Sequence, residues 1–295
     1  MDVSLGRRSG SPVTKNRTLQ GLGLALAVFF VTARPGLAET NGWAKVARPA
    51  PGAARVHGFY NRGCVAGARS LRIDGRGFAV LRPQRNRYWG HPSLVSFVRD
   101  LAQRVARAGS VLLIADVGQP RGGPVTGHAS HQLGLDADIR LLMPPRTAIT
   151  PDYRAKPPNF SMLTPDKKAI DRSRWSKRQI ALIRAAARDA RVDRIFVNPV
   201  IKRALCRAVT AERGWLAKVV PWYGHHAHMH VRLRCPKDSP GCVRQKALPP
   251  GTGCGKALAW WFRKVTVKPR RSTPKARKKR RKPPLPRACQ TVLAR

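Results

Sequence analysis

Residues 127–142 read GHASHQLGLDADIRLL, and residues 225–235 read HHAHMHVRLRC. Successive residues of a strand face opposite sides of its sheet. In the first stretch Leu135, Ala137, Ile139 and Leu141 then share a core-facing side. Asp136, Asp138 and Arg140 share the other. In the second, Ala227, Met229, Val231 and Leu233 form the apolar side, and His226, His228, His230 and Arg232 the polar one. Gly134 lets the chain turn between His131 and the first strand. Six of the eight histidines lie in these two stretches. Scattered surface histidines would not gather in this way.

Outward from these strands, three helices are legible. Pro92 suits a first helical position, and Leu94, Phe97, Val98, Leu101 and Val105 continue a stripe toward Gly109. Ser176 and Gln179 have capping-box spacing ahead of Ile180, Ile183, Ala186 and Ala190. Asn198–Pro199 starts a third helix that carries Cys206. The apolar run 111–117 (VLLIADV) reads as a central strand and 192–197 (VDRIFV) as another. Strands and helices are mixed without a βαβ rhythm. The expectation is an α+β single domain whose central antiparallel sheet carries the site, flanked by helices.

Length and composition limit the alternatives. The chain has 295 residues, a net charge of +44 and 42% apolar residues. That apolar share is too high for a disordered polyelectrolyte and allows a sizeable core. No apolar run reaches the about 18 residues of a membrane span, so a polytopic membrane protein is excluded.

Residues 1–38 have a basic head, an apolar run at 21–33 and the small residues Gly36 and Ala38, the pattern of a cleaved signal peptide. Its removal takes away five basic residues and one acidic, leaving +40 and no transmembrane segment. Residues 39–56 read as a leader, 57–262 as the folded domain, 263–287 as a basic Pro-rich linker and 288–295 as a C-terminal tail. The linker holds 13 Lys or Arg, five Pro and no acid. In a cytosolic protein it would suggest nucleic acid. In an exported one it suits an anionic cell wall or outer-membrane surface, or is simply a solubilising bias. Export also makes the even set of six cysteines a candidate disulfide framework. Cys235 and Cys242 can close a small loop. Fifteen pairings of the six are open, and the absence of CxxC argues against a cysteine-based zinc site.

The two His-bearing strands suit one chemistry above others. Three His or carboxylate ligands leave a fourth zinc position for water, whose pKa the metal lowers to about 7. A neighbouring unligated His can move the proton. Solvated or pH-sensing histidines and a closed structural zinc site are the plainer alternatives. GxSxG, SxxK, HExxH and a phosphate-binding glycine loop are all missing from the sequence, which disfavours a serine hydrolase or a nucleotide enzyme. His57 and His91 read as structural.

The runs 118–139 (GQPRGGPVTGHASHQLGLDADI), 194–206 (RIFVNPVIKRALC) and 222–236 (WYGHHAHMHVRLRCP) resemble the penicillin-insensitive murein endopeptidases. These are zinc peptidases of the group that includes lysostaphin-type enzymes, D-Ala-D-Ala peptidases and the hedgehog domain. The resemblance spans about residue 57 to the last cysteine. It implies His131, Asp138 and His230 as zinc ligands, His228 as the catalytic His and His225 as a further active-site His. It implies a periplasmic enzyme whose partner is peptidoglycan, cutting D-alanyl to meso-diaminopimelyl cross-links and indifferent to penicillin, with no nucleic acid. It also implies the pairs Cys64–Cys289, Cys206–Cys254 and Cys235–Cys242. Some relatives hold a second zinc at a subunit interface through the position of His128, an Asp and a further His. No His lies between His131 and His225, so only Asp166 or Asp171 could join His128 there. One zinc is expected, and a homodimer stays open. The alternative function is a non-catalytic zinc-containing wall-binding protein.

Overall fold

The computed structural model describes residues 42–106, 110–263 and 283–295. The expected signal peptide, most of the basic linker and the end of the first helix stripe at Gly109 lie outside the described residues. The elements run β1 (Arg55–Phe59), β2 (Arg62–Ala66), β3 (Arg69–Ser70), β4 (Asp74–Gly75), β5 (Phe78–Val80), β6 (Trp89–Gly90), α1 (Pro92–Ala106), β7 (Leu112–Ile114) and β8 (Asp136–Arg140). They continue with α2 (Pro151–Ala155), α3 (Lys177–Arg188), β9 (Val192–Val197), α4 (Pro199–Ala208), β10 (Val219–Pro221), β11 (His228–Leu233), α5 (Lys256–Arg263) and α6 (Arg287–Ala294).

The three expected helices start where their local chemistry directs. Pro92 opens α1, which buries Leu94, Phe97, Val98, Leu101 and Ala102. At α3 the Ser176 N–H donates to Gln179 Oε1 (2.9 Å), and Ser176 Oγ accepts from the Arg178 N–H. At α4 Asn198 Oδ1 accepts from the Val200 N–H (2.9 Å). These bonds satisfy N–H groups that a helix start leaves without partners.

Seven strands form the main sheet in the order β10-β9-β11-β8-β7-β5-β4. The four middle strands are antiparallel to their neighbours within that group. Parallel pairs lie outside them, β9 with β10 and β5 with β7. Each parallel pair is bridged by a helix, α4 or α1. The fold is α+β as expected, but two βαβ crossovers flank its antiparallel centre. They escape the sequence because β5 (FAV) and β10 (VVP) are too short to show a period.

The apolar sides of β8 and β11 lie in one large core with α1, α3 and α4. Ala137, Ile139, Met229 and Val231 are fully buried there beside Phe97, Ile183 and Ile201. A smaller cluster holds Trp43, Ala50, Cys64, Cys289 and Val292. From residue 42 onward, part of the stretch read as a leader is therefore packed against the C-terminal helix. Three disulfides close the described chain, Cys64–Cys289, Cys206–Cys254 and Cys235–Cys242, with Cα separations of 5.6, 5.7 and 5.7 Å. All six cysteines are used. No helix among the described residues is long and apolar enough to cross a membrane.

Candidate metal centre

The antiparallel register of β8 and β11 sets His230 opposite Asp138 and Arg232 opposite Asp136. Alternation then aims both pairs at the sheet face away from the helices. That face is not solvated as a half-buried strand pattern would suggest. Asp136, Asp138, His230 and Arg232 are between 0% and 6% exposed. The loop before β8 folds over it and delivers two histidines. His131 holds a left-handed φ of +68°, a costly conformation for a residue with a Cβ. Its N–H donates to Asp136 Oδ2 (3.0 Å), which fixes the turn. Gly134, at φ +62°, passes so close to Gly90 that a Cβ would lie 2.9 Å from its Cα.

The hydrogen bonds select which ring nitrogen of His131 is spare. Nδ1 lies 2.7 Å from the Val117 carbonyl, which can only accept, so Nδ1 carries the proton. Nε2 is left with a lone pair, buried and without a hydrogen-bond partner, 3.4 Å from Asp138 Oδ1. Asp138 Oδ1 is likewise buried without a hydrogen-bond partner. His230 Nδ1 lies 3.1 Å from the same oxygen. Its Nε2 is 3.1 Å from Asp136 Oδ1, and the Arg232 Nε–H donates to that oxygen (2.7 Å). Arg232 in turn lies over the Tyr60 ring, 4.1 Å from its centroid, and donates to Gln245 Oε1 (2.8 Å).

His128 stands on the other side of Asp138, with Nδ1 3.8 Å from Asp138 Oδ2 and Nε2 2.8 Å from Asp116 Oδ2. Donor atoms of His128, His131 and Asp138 all lie within 4.8 Å of one another. Two donor sets thus share His131 and Asp138, one completed by His230 and one by His128. His128 stands within this cluster. Asp166 and Asp171 are engaged in their own turns, accepting from the Thr164 and Ser173 hydroxyls.

His228 borders the cluster, its Nε2 3.6 Å from Asp138 Oδ1 and its side chain 29% exposed. The His225 ring lies 5.1 Å from it and is braced by Nδ1 against the Tyr223 carbonyl (2.8 Å). His226 does not join them. The left-handed φ of +47° at His225 interrupts the extended run, and β11 starts only at His228. The His226 carbonyl instead accepts from the Met162 N–H (2.9 Å). His91 is structural, with Nδ1 2.8 Å from Ser93 Oγ.

Burial works against every charge here, and neighbouring charges and hydrogen bonds decide the outcome. Burial would raise Asp138, yet the imidazoles of His131, His228 and His230 hold it well below the usual carboxylate range. Burial would lower His230, but Asp136 and Asp138 outweigh it and raise it to about 9. His228 lacks so close a carboxylate, and burial lowers it to about 4. The sequence assigned Asp136 and Arg232 a face but no task. Asp116 and Phe196 were missed. Phe196 pairs opposite His230 on β9, with ring centroids 5.3 Å apart. Finding either residue requires the strand register, which the alternation of one strand does not contain.

Buried imidazole and carboxylate atoms with lone pairs but no hydrogen-bond partners fit a cation. Such donors, on two adjacent strands and the loop before them and beside a partly open histidine, suit a metal-assisted hydrolase. The chain belongs to the penicillin-insensitive murein endopeptidase family, whose model matches residues 56–294. It is 44% identical over 275 residues to a penicillin-insensitive murein endopeptidase of Salmonella heidelberg (strain SL476), covering 92% of this chain and 96% of that protein. It is 42% identical over 274 residues to proteins of the same name from Escherichia coli O1:K1 / APEC and Shigella boydii serotype 18, covering 91% of this chain and 97% of each.

Proposed function

We propose that the protein is a zinc-dependent endopeptidase of peptidoglycan that hydrolyses the D-alanyl to meso-diaminopimelyl cross-link. The observation that carries this reading is the pair of buried atoms without hydrogen-bond partners, His131 Nε2 and Asp138 Oδ1, facing His230 Nδ1. His131, Asp138 and His230 are assigned as the zinc ligands, through two nitrogens and a carboxylate oxygen. His128, whose Nδ1 is 3.8 Å from Asp138 Oδ2 and not the Oδ1 that faces His131 and His230, is given a supporting place. When bound there, zinc would supply Lewis acidity and lower the pKa of a water in the remaining position. Val117 and Asp136 orient the two ligand rings from behind, the arrangement that typically sets ligand geometry and basicity. His228, beside Asp138 and partly open, takes a proton from the attacking water and returns it to the leaving amine. Water thereby adds across the C–N bond and leaves a carboxylate and an amine. His225 sits next to His228 to support it.

The metal route needs no nucleophilic serine, so penicillin, which acylates serine enzymes, should not block it. The signal-like N-terminus and three disulfides support action in the periplasm. The decisive experiment digests purified cross-linked muropeptide dimers with the full chain, with and without chelator, while zinc per chain is measured. Cleavage that stops when zinc is removed and returns with zinc is the expected result. Zinc bound at about one per chain without cleavage would favour a wall-binding protein instead.

A further inference from the structure

The surface beside the proposed metal centre carries aromatic rings that the hydrolysis does not use. Phe196 faces His230 from β9, and Trp222 lies against Phe196 with centroids 5.7 Å apart. Trp261 follows, 6.1 Å from Trp222 and 4.8 Å from Tyr223, and Trp260 adjoins it at 5.4 Å. The row leads from the metal centre outward onto α5. Trp222, Tyr223 and Trp260 are 52%, 51% and 48% exposed. Three large rings half in water beside the metal centre form an apolar patch of the kind that marks a binding surface.

The patch is held rigidly. The Trp222 N–H donates to the Val197 carbonyl (2.8 Å), the Asn198 N–H to the His225 carbonyl (3.0 Å), and Asn198 Nδ2 to the Gly224 carbonyl (2.9 Å). On the other side α5 is fastened to α4 by the Cys206–Cys254 disulfide and by buried Leu258. Lys202 of α4 also donates to the Thr252 carbonyl (2.7 Å). A surface whose rings are already ordered loses little entropy when a ligand arrives.

We propose that Trp222, Tyr223, Trp260 and Trp261 form a platform for the neutral glycan strand of peptidoglycan, a subsite that rests on the murein reading above. Stem peptides offer methyl groups and charges, and their carboxylates would be drawn to the chain's many Lys and Arg side chains. A pyranose offers a flat face of C–H groups and no charge, which matches the negative face of an aromatic ring. A strand laid on the platform would bring the stem it carries toward His230, where the aromatic row begins, and so to the metal centre that His228 borders.

The test titrates chitohexaose, a peptide-free N-acetylhexosamine oligomer, into the full chain, read by tryptophan fluorescence and calorimetry. Saturable binding is expected, weakened about tenfold in Trp222→Ala and in Trp260→Ala, the equivalent of about 1.4 kcal/mol each. Trp222→Phe should retain most of it. Val243→Ser, at an exposed apolar residue away from the row, should bind as the parent does. If Trp222→Ala fails to fold by near-UV circular dichroism, Trp260→Ala carries the test. No saturable binding by the parent, or unchanged binding in the alanine variants, overturns the platform. So does a stem tripeptide that binds in the glycan's place and is lost in the same variants. Cross-link cleavage is scored separately. Glycan binding without cleavage sinks the enzyme reading alone, and cleavage without glycan binding sinks the platform alone.

Discussion

Asp136, Asp138, His230 and Arg232 lie on the β8–β11 ladder at the centre of the sheet, nearly closed to water. At the chain's C-terminal end, α5 buries only Leu258, and α6 buries only Cys289 and Val292. Apart from the partly open His228 at its end, the ladder is enclosed by protein and tolerates charge in its interior. The two end helices have too little apolar contact to hold themselves and are stapled covalently. A buried charge network is a poor way to gain stability, because desolvation consumes much of its Coulomb attraction. On the proposed reading the ladder's polar face is explained by the cation it would hold, and the ends by what holds them. Changes on the ladder should remove metal or rate, whereas changes at the staples should remove stability alone.

The largest effect belongs to His230. His230→Ala should reduce zinc from about one per chain to near zero, because two protein ligands rarely retain a catalytic zinc. Muropeptide cleavage should fall to background with it. His128→Ala should keep the metal, since its Nδ1 stands toward Asp138 Oδ2, 3.8 Å away, and not toward the Oδ1 that His131 and His230 face. Metal analysis of the two variants side by side decides between the donor sets. Zinc retained in His230→Ala and lost in His128→Ala would move the site to the His128 side of Asp138.

His228→Ala comes next. It should keep the zinc and lose about 10²–10⁴ of the rate, the usual contribution of a general acid–base group. A metal-free His228→Ala would make this residue a ligand. Full activity would pass the proton-transfer role to His225.

Asp136→Asn tests support from behind the ligand. Asp136 is fully buried between His131, His230 and Arg232. Removing its charge should weaken zinc affinity about 10–100-fold, as loss of an orienting partner does. It also leaves the Arg232 guanidinium without its carboxylate, a change of about 3–5 kcal/mol for a buried pair broken on one side. Chelator competition reads the first effect and urea unfolding of the zinc-free chain the second. Unchanged zinc affinity with lowered stability would reduce Asp136 to a structural partner of Arg232.

The same contrast governs what the sequence discloses. Alternation along 135–142 and 228–233 exposed the ladder, because each strand carries its own period. Pro92, the Ser176–Gln179 pair and Asn198–Pro199 marked helix starts through bonds made within a few residues. The alternation failed at His226, where His225 takes a left-handed backbone and ends the period. Strands of two or three residues, such as β3, β4 and β10, are created by their neighbours and carry too little pattern to be read alone. Asp116 reaches His128 only once β7 and β8 are paired, and α6 acquires its place from a partner far up the chain. Contacts of that range follow from the whole fold, and here only the resemblance indicated the partners of Cys64 and Cys206.

The smallest expected effect on chemistry is at the staples. The Cys64–Cys289 pair spans a sequence separation of 225, against 7 for Cys235–Cys242. In the chain-entropy model, closing the longer loop stabilises by about 5 kcal/mol and the shorter by about 2 kcal/mol. Replacing both cysteines of a pair by Ala removes the link without leaving a free thiol. Urea unfolding should therefore show a much larger loss for the Cys64/Cys289 double variant than for the Cys235/Cys242 one. Zinc content below the unfolding transition should remain that of the parent in both, because neither pair includes a proposed ligand. Equal losses would mean that the unfolded chain is already compact enough to cancel the difference in loop length. Zinc lost along with Cys64–Cys289 would overturn the division itself. The β1–β2 hairpin, which holds Cys64 and whose turn residue Tyr60 packs under Arg232, would then transmit the staple's effect into the ladder.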